Sequence, residues 1–558
     1  MNERTRVALL AGVAILVYVN VLLNGFTLDD GIYVLGNKAV TSFNLKGLFE
    51  PLAYNNVFRP LTFFSFAVNW WLNGAKPIGY NVVDLLLNAA AVVLLYLVLR
   101  TLLENMPHGE IIAWVAALLF AVHPIHTEAV ASIANRSETL AAGLLFAAWL
   151  FHLHGKPVPA VVFFVLALFS KESAVVFLPL VVVGDYARGE MQSRAKYASL
   201  AVTTALYLAL LWKVQGGRFG ELYVSFLDNP LLHLPAKIRT LNALRIGWKY
   251  VALLVYPAHL SSDYSYNAIP LYVRWKPALP AILATMVLFS FLGWAFWTKR
   301  RDWFLAIAIF LFAFAVTCNI LVPTGTIMGE RLMYLPSIGF CLLVALLWIR
   351  LENRQQKLAW VVLAILVPVL GARTFARNRD WRDNYSLFAA DVQSSPGSAK
   401  LHANLGGQYM YRGQLDDASR ELRTALGIYG DLPDAEGYIG VVESMKGNDL
   451  EARRFLEKAL SQTTRKNPNY DYFSVNLAGV LMKLQENEQA MKILSEVIAK
   501  SPNDSQAWSN RAVIRFGLGQ MDLARSDAET ALRLDPENLQ AVNLLSLLHR
   551  RVTATPGS

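Results

Sequence analysis

The chain has 558 residues, 55% of them hydrophobic, with a mean hydropathy of +0.37 and a formal net charge of +10. A soluble protein of this length is rarely so apolar, so the composition indicates a membrane protein of more than one domain. The basic excess lies up to Ser394, with 32 Lys and Arg against 21 Asp and Glu, whereas the rest of the chain balances at 19 against 20. No soluble segment carries basic residues interleaved with aromatics, so nucleic acid is not the expected partner and membrane lipid is. Two cysteines, Cys318 and Cys341, both in or beside apolar runs, exclude a disulfide framework and a zinc site.

The first apolar segment, Val7 to Leu23, follows Arg4 and Arg6 and lacks a small-x-small cleavage site, so it reads as a retained anchor with a cytoplasmic N-terminus. It ends at Asn24-Gly25-Phe26-Thr27-Leu28-Asp29-Asp30-Gly31. The run from Arg59-Pro60 to Trp70-Trp71-Leu72 is too short for a hydrocarbon core of about 30 Å and reads as an interfacial helix. Spans are expected at Tyr80 to Leu99, Ile111 to Val122, Thr139 to Phe151, Val158 to Phe169, Ala174 to Val183 and Tyr197 to Trp212. Several are short, as suits helices around a cavity. With the anchor, these put Gln215 to Asn242 outside, while Lys299-Arg300-Arg301 belongs inside. Only Leu279 to Trp297 then crosses between them, and the run Ile246 to Tyr256 becomes interfacial or re-entrant. Spans at Trp303 to Leu321, Leu332 to Trp348 and Lys357 to Leu370 bring the number to about eleven and leave the C-terminus outside, in periplasm, exterior or lumen.

After a linker over 376–397 the composition changes and a repeat appears. Gly406, Gly413, Ala418 and Ala425 recur as Gly440, Gly447, Ala452 and Ala459, as Ala478, Gln485, Ala490 and Val497, and as Ala512, Gly519, Ala524 and Ala531. Pro433, Pro468, Pro502 and Pro536 separate the units. Small residues at these offsets mark the contacts of paired helices, a tetratricopeptide pattern present four times and followed by a capping helix, Leu539 to Arg550. Such solenoids bind extended or helical peptide; the alternative is a rigid spacer or dimerisation unit. The expected architecture is all-α: a polytopic membrane domain over 1–375 and a soluble α-solenoid over 398–558.

Polar motifs gather at the outer ends of the spans. Asp29 and Asp30 stand where the chain leaves the membrane, and one of them suits a base that takes the proton from an acceptor hydroxyl during inverting glycosyl transfer; the alternative is helix capping. His123, His126 and Glu128 flank Pro124 without the spacing of a zinc motif, which favours contact with substrate or phosphate over metal, with mutual satisfaction as the structural alternative; Arg136 and Glu138 open the next span. Lys171 is a point charge suited to phosphate, with Glu172 beside it as a neutralising partner. Arg331 suits bidentate phosphate recognition or, alternatively, pairs with Glu330 or Asp30. His259 and Asp263 form a weaker site.

In these motifs the chain resembles the transmembrane and tetratricopeptide repeat-containing O-mannosyltransferases of the GT-C class. The matching stretches include Leu28-Asp29-Asp30, Arg59-Pro60-Leu61-Thr62, Gly79-Tyr80-Asn81, His123 to Ala129, Lys171-Glu172, Asp263-Tyr264-Ser265, Glu330 to Ser337 with Tyr334, and Arg379-Asp380-Trp381. The resemblance implies an inverting, polyprenyl-phosphate-dependent enzyme that moves a sugar, mannose in the family, to Ser or Thr of a polypeptide held by the repeats. It implies Asp29 or Asp30 as the base and Lys171 and Arg331 as candidates for the carrier phosphate; further substrate contacts are expected from Arg59, His123, His126, Glu128, Arg136, Asp263, Glu330 and Tyr334. No cofactor is assigned, and a divalent cation, magnesium or manganese, stays an open alternative. Arg136-Ser137-Glu138 departs mildly from the Arg-Ala-Asp or Arg-Ala-Glu usual in relatives, and four repeats are fewer than many members carry. The compact chain reads as a prokaryotic member. Competing readings are transfer to a glycan or lipid acceptor, or a transporter or scaffold; the latter pair is disfavoured by the absence of mid-span charges and duplicated halves.

Overall fold

The computed structural model describes residues 2–52, 55–217, 224–321, 323–465 and 467–553. Their regular secondary structure is all helical, with no strand among the described residues, and the chain divides into two compact units, Met1–Gly397 and Ser398–Ser558.

The first unit holds α1 (Glu3–Tyr18), α2 (Pro60–Asn73), α3 (Pro77–Leu102), α4 (Gly109–Val122), α5 (Thr127–Ala131), α6 (Arg136–Leu153), α7 (Pro157–Ser170), α8 (Phe177–Arg188), α9 (Arg194–Val214), α10 (Ala236–Val255), α11 (Leu279–Trp297), α12 (Arg301–Ala315), α13 (Ser337–Glu352), α14 (Gln356–Asp380) and α15 (Asn384–Ser394). Prolines at the first helical position start α2, α3 and α7, where a missing N–H costs no helical hydrogen bond. Five segments are long and apolar enough to cross a bilayer: Glu3–Leu23, Pro77–Leu102, Arg194–Val214, Lys276–Trp297 and Gln356–Asp380. A sixth forms if α4 and the segment Pro124–Ala131, bent by 54° at His123, are taken as one. The other apolar helices are shorter. Those with 14 residues, such as α7, reach roughly 21 Å at 1.5 Å per residue, less than a typical hydrocarbon core.

Packing follows the small and apolar faces. α1 lies against α3 and α4, α3 against α6, α6 against α7, and α13 against α4 and α12. At the close approach of α12 and α13, a Cβ on Gly339 would stand 2.3 Å from the Ala306 carbonyl oxygen, so only glycine fits. α10 runs twenty residues, longer than its apolar half, and its first half carries Lys237, Arg239 and Arg245. It is not among the helices that meet the length and hydropathy of a span. The segment 376–397 holds the end of α14 and all of α15, so most of the stretch before the repeats is helical.

The second unit is a run of paired helices: α16 (Ala399–Tyr411) with α17 (Leu415–Ile428), α18 (Pro433–Met445) with α19 (Asp449–Gln462), α20 (Tyr470–Lys483) with α21 (Asn487–Lys500) and α22 (Ser505–Gly517) with α23 (Met521–Leu534), closed by α24 (Leu539–Thr553). The repeated small residues lie where the helices of a pair touch: Gly406 faces Leu422, and Gly440 faces Leu456. The turns between paired helices are left-handed at Gly413, Gly447 and Gly519, with φ of 74°, 86° and 76°. The third repeat places Gln485 there at φ 66°, a conformation that disfavours a side chain.

A Cβ on Gly440 would come within 2.7 Å of Leu456 Cγ and 3.0 Å of the Ala452 carbonyl oxygen, whereas one on Gly427 meets nothing within 4 Å. Gly440→Leu is therefore expected to destabilise the repeats by about 1–3 kcal/mol. Gly427→Ala should leave stability unchanged or raised, the comparison being made by thermal unfolding of the full chain.

Candidate active site

The segment after α1 turns sharply at Leu28, whose φ of 47° is rare for a branched side chain. Its N–H donates to Asn384 Oδ1 at 2.9 Å, and the Gly25 N–H donates to the Arg382 carbonyl at 2.8 Å. The two carboxylates that follow have opposite fates. Asp30 is fully buried, and its carboxylate accepts the Thr27 N–H at 2.8 Å and the Ala134 N–H at 2.6 Å. Burial, with the charges of Asp29 and Asp84 adding to it, pushes Asp30 up to about 7 against the pull of those two backbone donors. Asp29 is exposed; its backbone carbonyl accepts from Ile32 and Tyr33, while its carboxylate has no hydrogen-bond or ion-pair partner among the described residues.

Around Asp29 stand three cations, each held by one glutamate. Arg331 follows the loop into α13; its N–H donates to Glu128 Oε2 at 2.8 Å and its guanidinium pairs with Glu128 Oε1. The Arg331 side chain is 26% exposed while Glu128 is 1% exposed, so the arginine offers its outer edge to solvent. The partner of Arg331 is thus Glu128, rather than Glu330 or Asp30. The charges of Asp29 and Glu138 also act on Arg331. Arg59, at the start of α2, makes a two-pronged contact with Glu172, at 2.9 and 2.6 Å, and donates to Ser137 Oγ at 3.3 Å. Lys171 pairs with Glu138 in a buried contact, and burial draws the lysine below its ordinary range against the pull of that carboxylate. Tyr33, beneath them, feels Arg59, Asp29 and Arg331. Residues far apart in sequence thus share one charged cluster.

Several of the remaining motif residues form its frame. Arg136 is fully buried: it donates to Asp84 and Asn69 at 2.5 and 2.6 Å and to the Tyr80 carbonyl at 3.1 Å, and lies over the Phe66 ring. His123 donates from Nε2 to the Leu254 carbonyl at 2.9 Å while its Nδ1 accepts the Ile125 N–H at 3.2 Å. His126 is engaged by the Phe120 carbonyl and by Ser337 Oγ, at 2.9 and 2.8 Å. Both imidazoles are buried with both nitrogens occupied, so they brace the bend between α4 and α5 and present no free nitrogen. The Tyr334 hydroxyl donates to Asn88 Oδ1 at 2.8 Å in the core. Asp263 accepts from the N–H and hydroxyl of Ser265 and fixes its own turn, and His259 is exposed. Among the described residues, no three His, Cys, Asp or Glu side chains gather as a set able to hold a metal ion.

Two supports escape sequence reasoning. Asp84 is a lone acid in an apolar helix, a signal that a buried cation must meet it, and Arg136 does. Asn384 gives no signal in sequence. A second buried group lies beside the cluster: Glu330 accepts the Ser261 N–H and the Tyr264 hydroxyl, both at 2.6 Å, and Arg377 bridges Asp380 and Asp391, the latter also accepting from Ser262.

Burial pushes Glu330 from 4.5 up to about 8, with Glu128 adding to it and Arg377 opposing. The folded chain therefore holds a proton that the unfolded chain has released, so this contribution to stability is full below the ordinary glutamate range and is lost as pH rises through about 8. The thermal midpoint of the detergent-solubilised protein is expected to fall between about pH 5 and 9 from this source, and Glu330→Gln should flatten that part of the profile.

The tetratricopeptide repeat family pattern matches residues 448–514 and, in a second form, 505–538. Mouse protein O-mannosyl-transferase TMTC3 is 28% identical over 95% of this chain, and the human protein of the same name 27% identical over 97%. The worm protein O-mannosyl-transferase F38B6.6, from Caenorhabditis elegans, is 29% identical over 75% of the chain. The chain spans 64%, 66% and 62% of these relatives' own lengths. Among solved structures, MamA from Desulfovibrio magneticus is 24% identical, with 28% of this chain and 85% of that one covered and a TM-score of 0.24. Over most of its length this chain of apolar and repeat helices is thus similar to proteins named as protein O-mannosyl-transferases.

Proposed function

We propose that the chain is a membrane glycosyltransferase that moves a sugar, mannose by analogy with the names of its relatives, from a polyprenyl-phosphate carrier to Ser or Thr of a polypeptide. The observation that carries this reading is the exposed carboxylate of Asp29, without a partner among the described residues, whose charge acts on the partly exposed guanidinium of Arg331 at the end of an apolar helix. A lipid-borne phosphosugar has its charged head and apolar tail at the same boundary.

In the proposed reaction, Asp29 takes the proton of the acceptor hydroxyl while its oxygen attacks the anomeric carbon from the face opposite the phosphate. The bond from that carbon to the phosphate oxygen breaks, its electron pair leaves with the polyprenyl phosphate, and configuration inverts. Negative charge grows on the departing phosphate, and Arg331 is the cation with an open edge to meet it. Lys171 and Arg59 are more fully paired, by Glu138 and Glu172, and add field to the same place. Asp30 acts through the backbone: with its carboxylate filled by two N–H donors it fixes the loop that carries Asp29. His123, His126, Arg136 and Tyr334 hold the surrounding turns, and Glu128 orients Arg331. The reading places this face and the repeats on the outer side of the membrane, with the repeats presenting the polypeptide.

Transfer from radiolabelled polyprenyl-phosphate mannose to Ser- and Thr-containing polypeptides tests the assignment. Asp29→Asn is expected to lower the rate by roughly 10²–10⁴-fold with the thermal midpoint unchanged, the range for loss of a positioned base. Asp30→Asn should instead lower stability, by about 1–3 kcal/mol for a buried hydrogen-bonding mismatch, with transfer per folded molecule better preserved. Equal transfer by native protein and Asp29→Asn removes that carboxylate as the base. Deleting 398–558 should abolish modification of polypeptide while carrier binding persists.

A further inference from the structure

A second cationic feature lies away from this cluster, at the start of α11. A cleft of about 260 Å³ opens between the first turn of α10 and the segment 273–276, lined by Lys237, Arg274 and Lys276 together with Ile238, Leu241 and Trp275. All three cations are exposed and none is in an ion pair among the described residues. From Ala236 to Lys276 the chain has six Lys and Arg and one acid, Asp263, which is engaged by Ser265. Cations therefore outnumber acids along this stretch, and Lys249, on the far half of α10, feels an acid from elsewhere, Glu330.

The walls of the cleft are fixed. Asn242 and the backbone of Tyr272 exchange two hydrogen bonds, both 3.0 Å, that tie α10 to the segment carrying Arg274. Arg245 lies over the Tyr272 ring at 4.1 Å and donates to the Pro270 carbonyl at 3.2 Å. Trp248 donates to Thr285 Oγ1 at 3.0 Å and joins α10 to α11. Below the cleft, α11 is the least covered of the candidate spans, with 11% of its apolar window buried and Leu283, Met286 and Val287 exposed. Cations at the end of a span, an aromatic at the boundary and an open apolar wall beneath are the arrangement that accommodates an anionic lipid, headgroup above and chains below.

We propose that this cleft binds the phosphate headgroup of a membrane lipid whose chains lie along α11. Free phosphate shares the headgroup chemistry, but it would gain nothing from the apolar wall. The assignment does not depend on the transferase reading.

Native mass spectrometry of the full chain in detergent, titrated with dioleoyl-phosphatidylglycerol or dioleoyl-phosphatidylcholine, tests it. The native protein is expected to retain the anionic lipid in preference to the neutral one, and Arg274→Gln with Lys276→Gln to cut that preference about tenfold or more. Removing two cations at the opposite end of α11, by Lys299→Gln with Arg300→Gln, should leave it unchanged. Matching thermal midpoints establish that both doubles are folded. The proposal is overturned by no preference in the native protein, by an equal loss in both doubles, or by displacement of the lipid with millimolar inorganic phosphate, which would assign the cleft to the free ion.

Discussion

The loop that follows α1 depends on a buried carboxylate. Among the described residues no cation pairs with Asp30; two backbone N–H groups, one from its own turn and one from Ala134, take that part. A carboxylate buried in this way is costly unless its acceptors are filled, so the loop after α1 and the turn before α6 are fixed to one another. Because Asp30 is drawn inward, its neighbour is turned outward, and Leu28 takes the left-handed conformation that allows the reversal. Two adjacent acids thus differ in exposure through backbone geometry.

The same economy of pairing governs the cations. Arg136 with Asp84, Lys171 with Glu138, Arg59 with Glu172 and Arg331 with Glu128 form a gradient from fully buried to partly open. A buried pair adds little net stability because desolvation consumes most of the attraction, yet removing one member is expensive. Such pairs fix the position of helices. Only where the cation keeps an edge in water, as Arg331 does, is there charge left to offer a ligand.

Much of this was legible in the sequence, and the reason for the remainder is physical. Period-34 small residues give the paired helices of the second unit because each marks a contact too close for a larger side chain, as Gly406 against Leu422 and Gly440 against Leu456 illustrate. Apolar runs give the helices of the first unit, although α10 starts at Ala236, ten residues before the run from Ile246 that marks it, since charged residues on one face do not stop a helix whose other face is buried. Motif residues near one membrane face were visible as polar interruptions. Which of them keep a polar edge open was not: His126 and Arg331 look alike in sequence as polar residues near an apolar helix, and only tertiary contacts fill both nitrogens of the first and leave an edge of the second open.

The least legible element is the clamp from the far end of the unit. Asn378 donates to the Val17 carbonyl and to Asn20 Oδ1, and Asn24 donates to the Asn378 carbonyl. Asn20 reaches the Phe375 carbonyl, and Asn384 receives the Leu28 N–H. α1 unwinds through a 3₁₀ turn, Val19–Leu23, where helical hydrogen bonds run out, and amides from the last long helix take up the freed groups. Trp381, at the end of that last helix, is 1% exposed. The strained turn that exposes Asp29 is therefore held by residues more than 350 positions away, and it can form only once the first and last long helices of the unit lie side by side. That requirement gives Arg379-Asp380-Trp381 and the polar residues around it a task in the first unit, because a loop attached only to α1 would relax at Leu28 and carry the carboxylate with it.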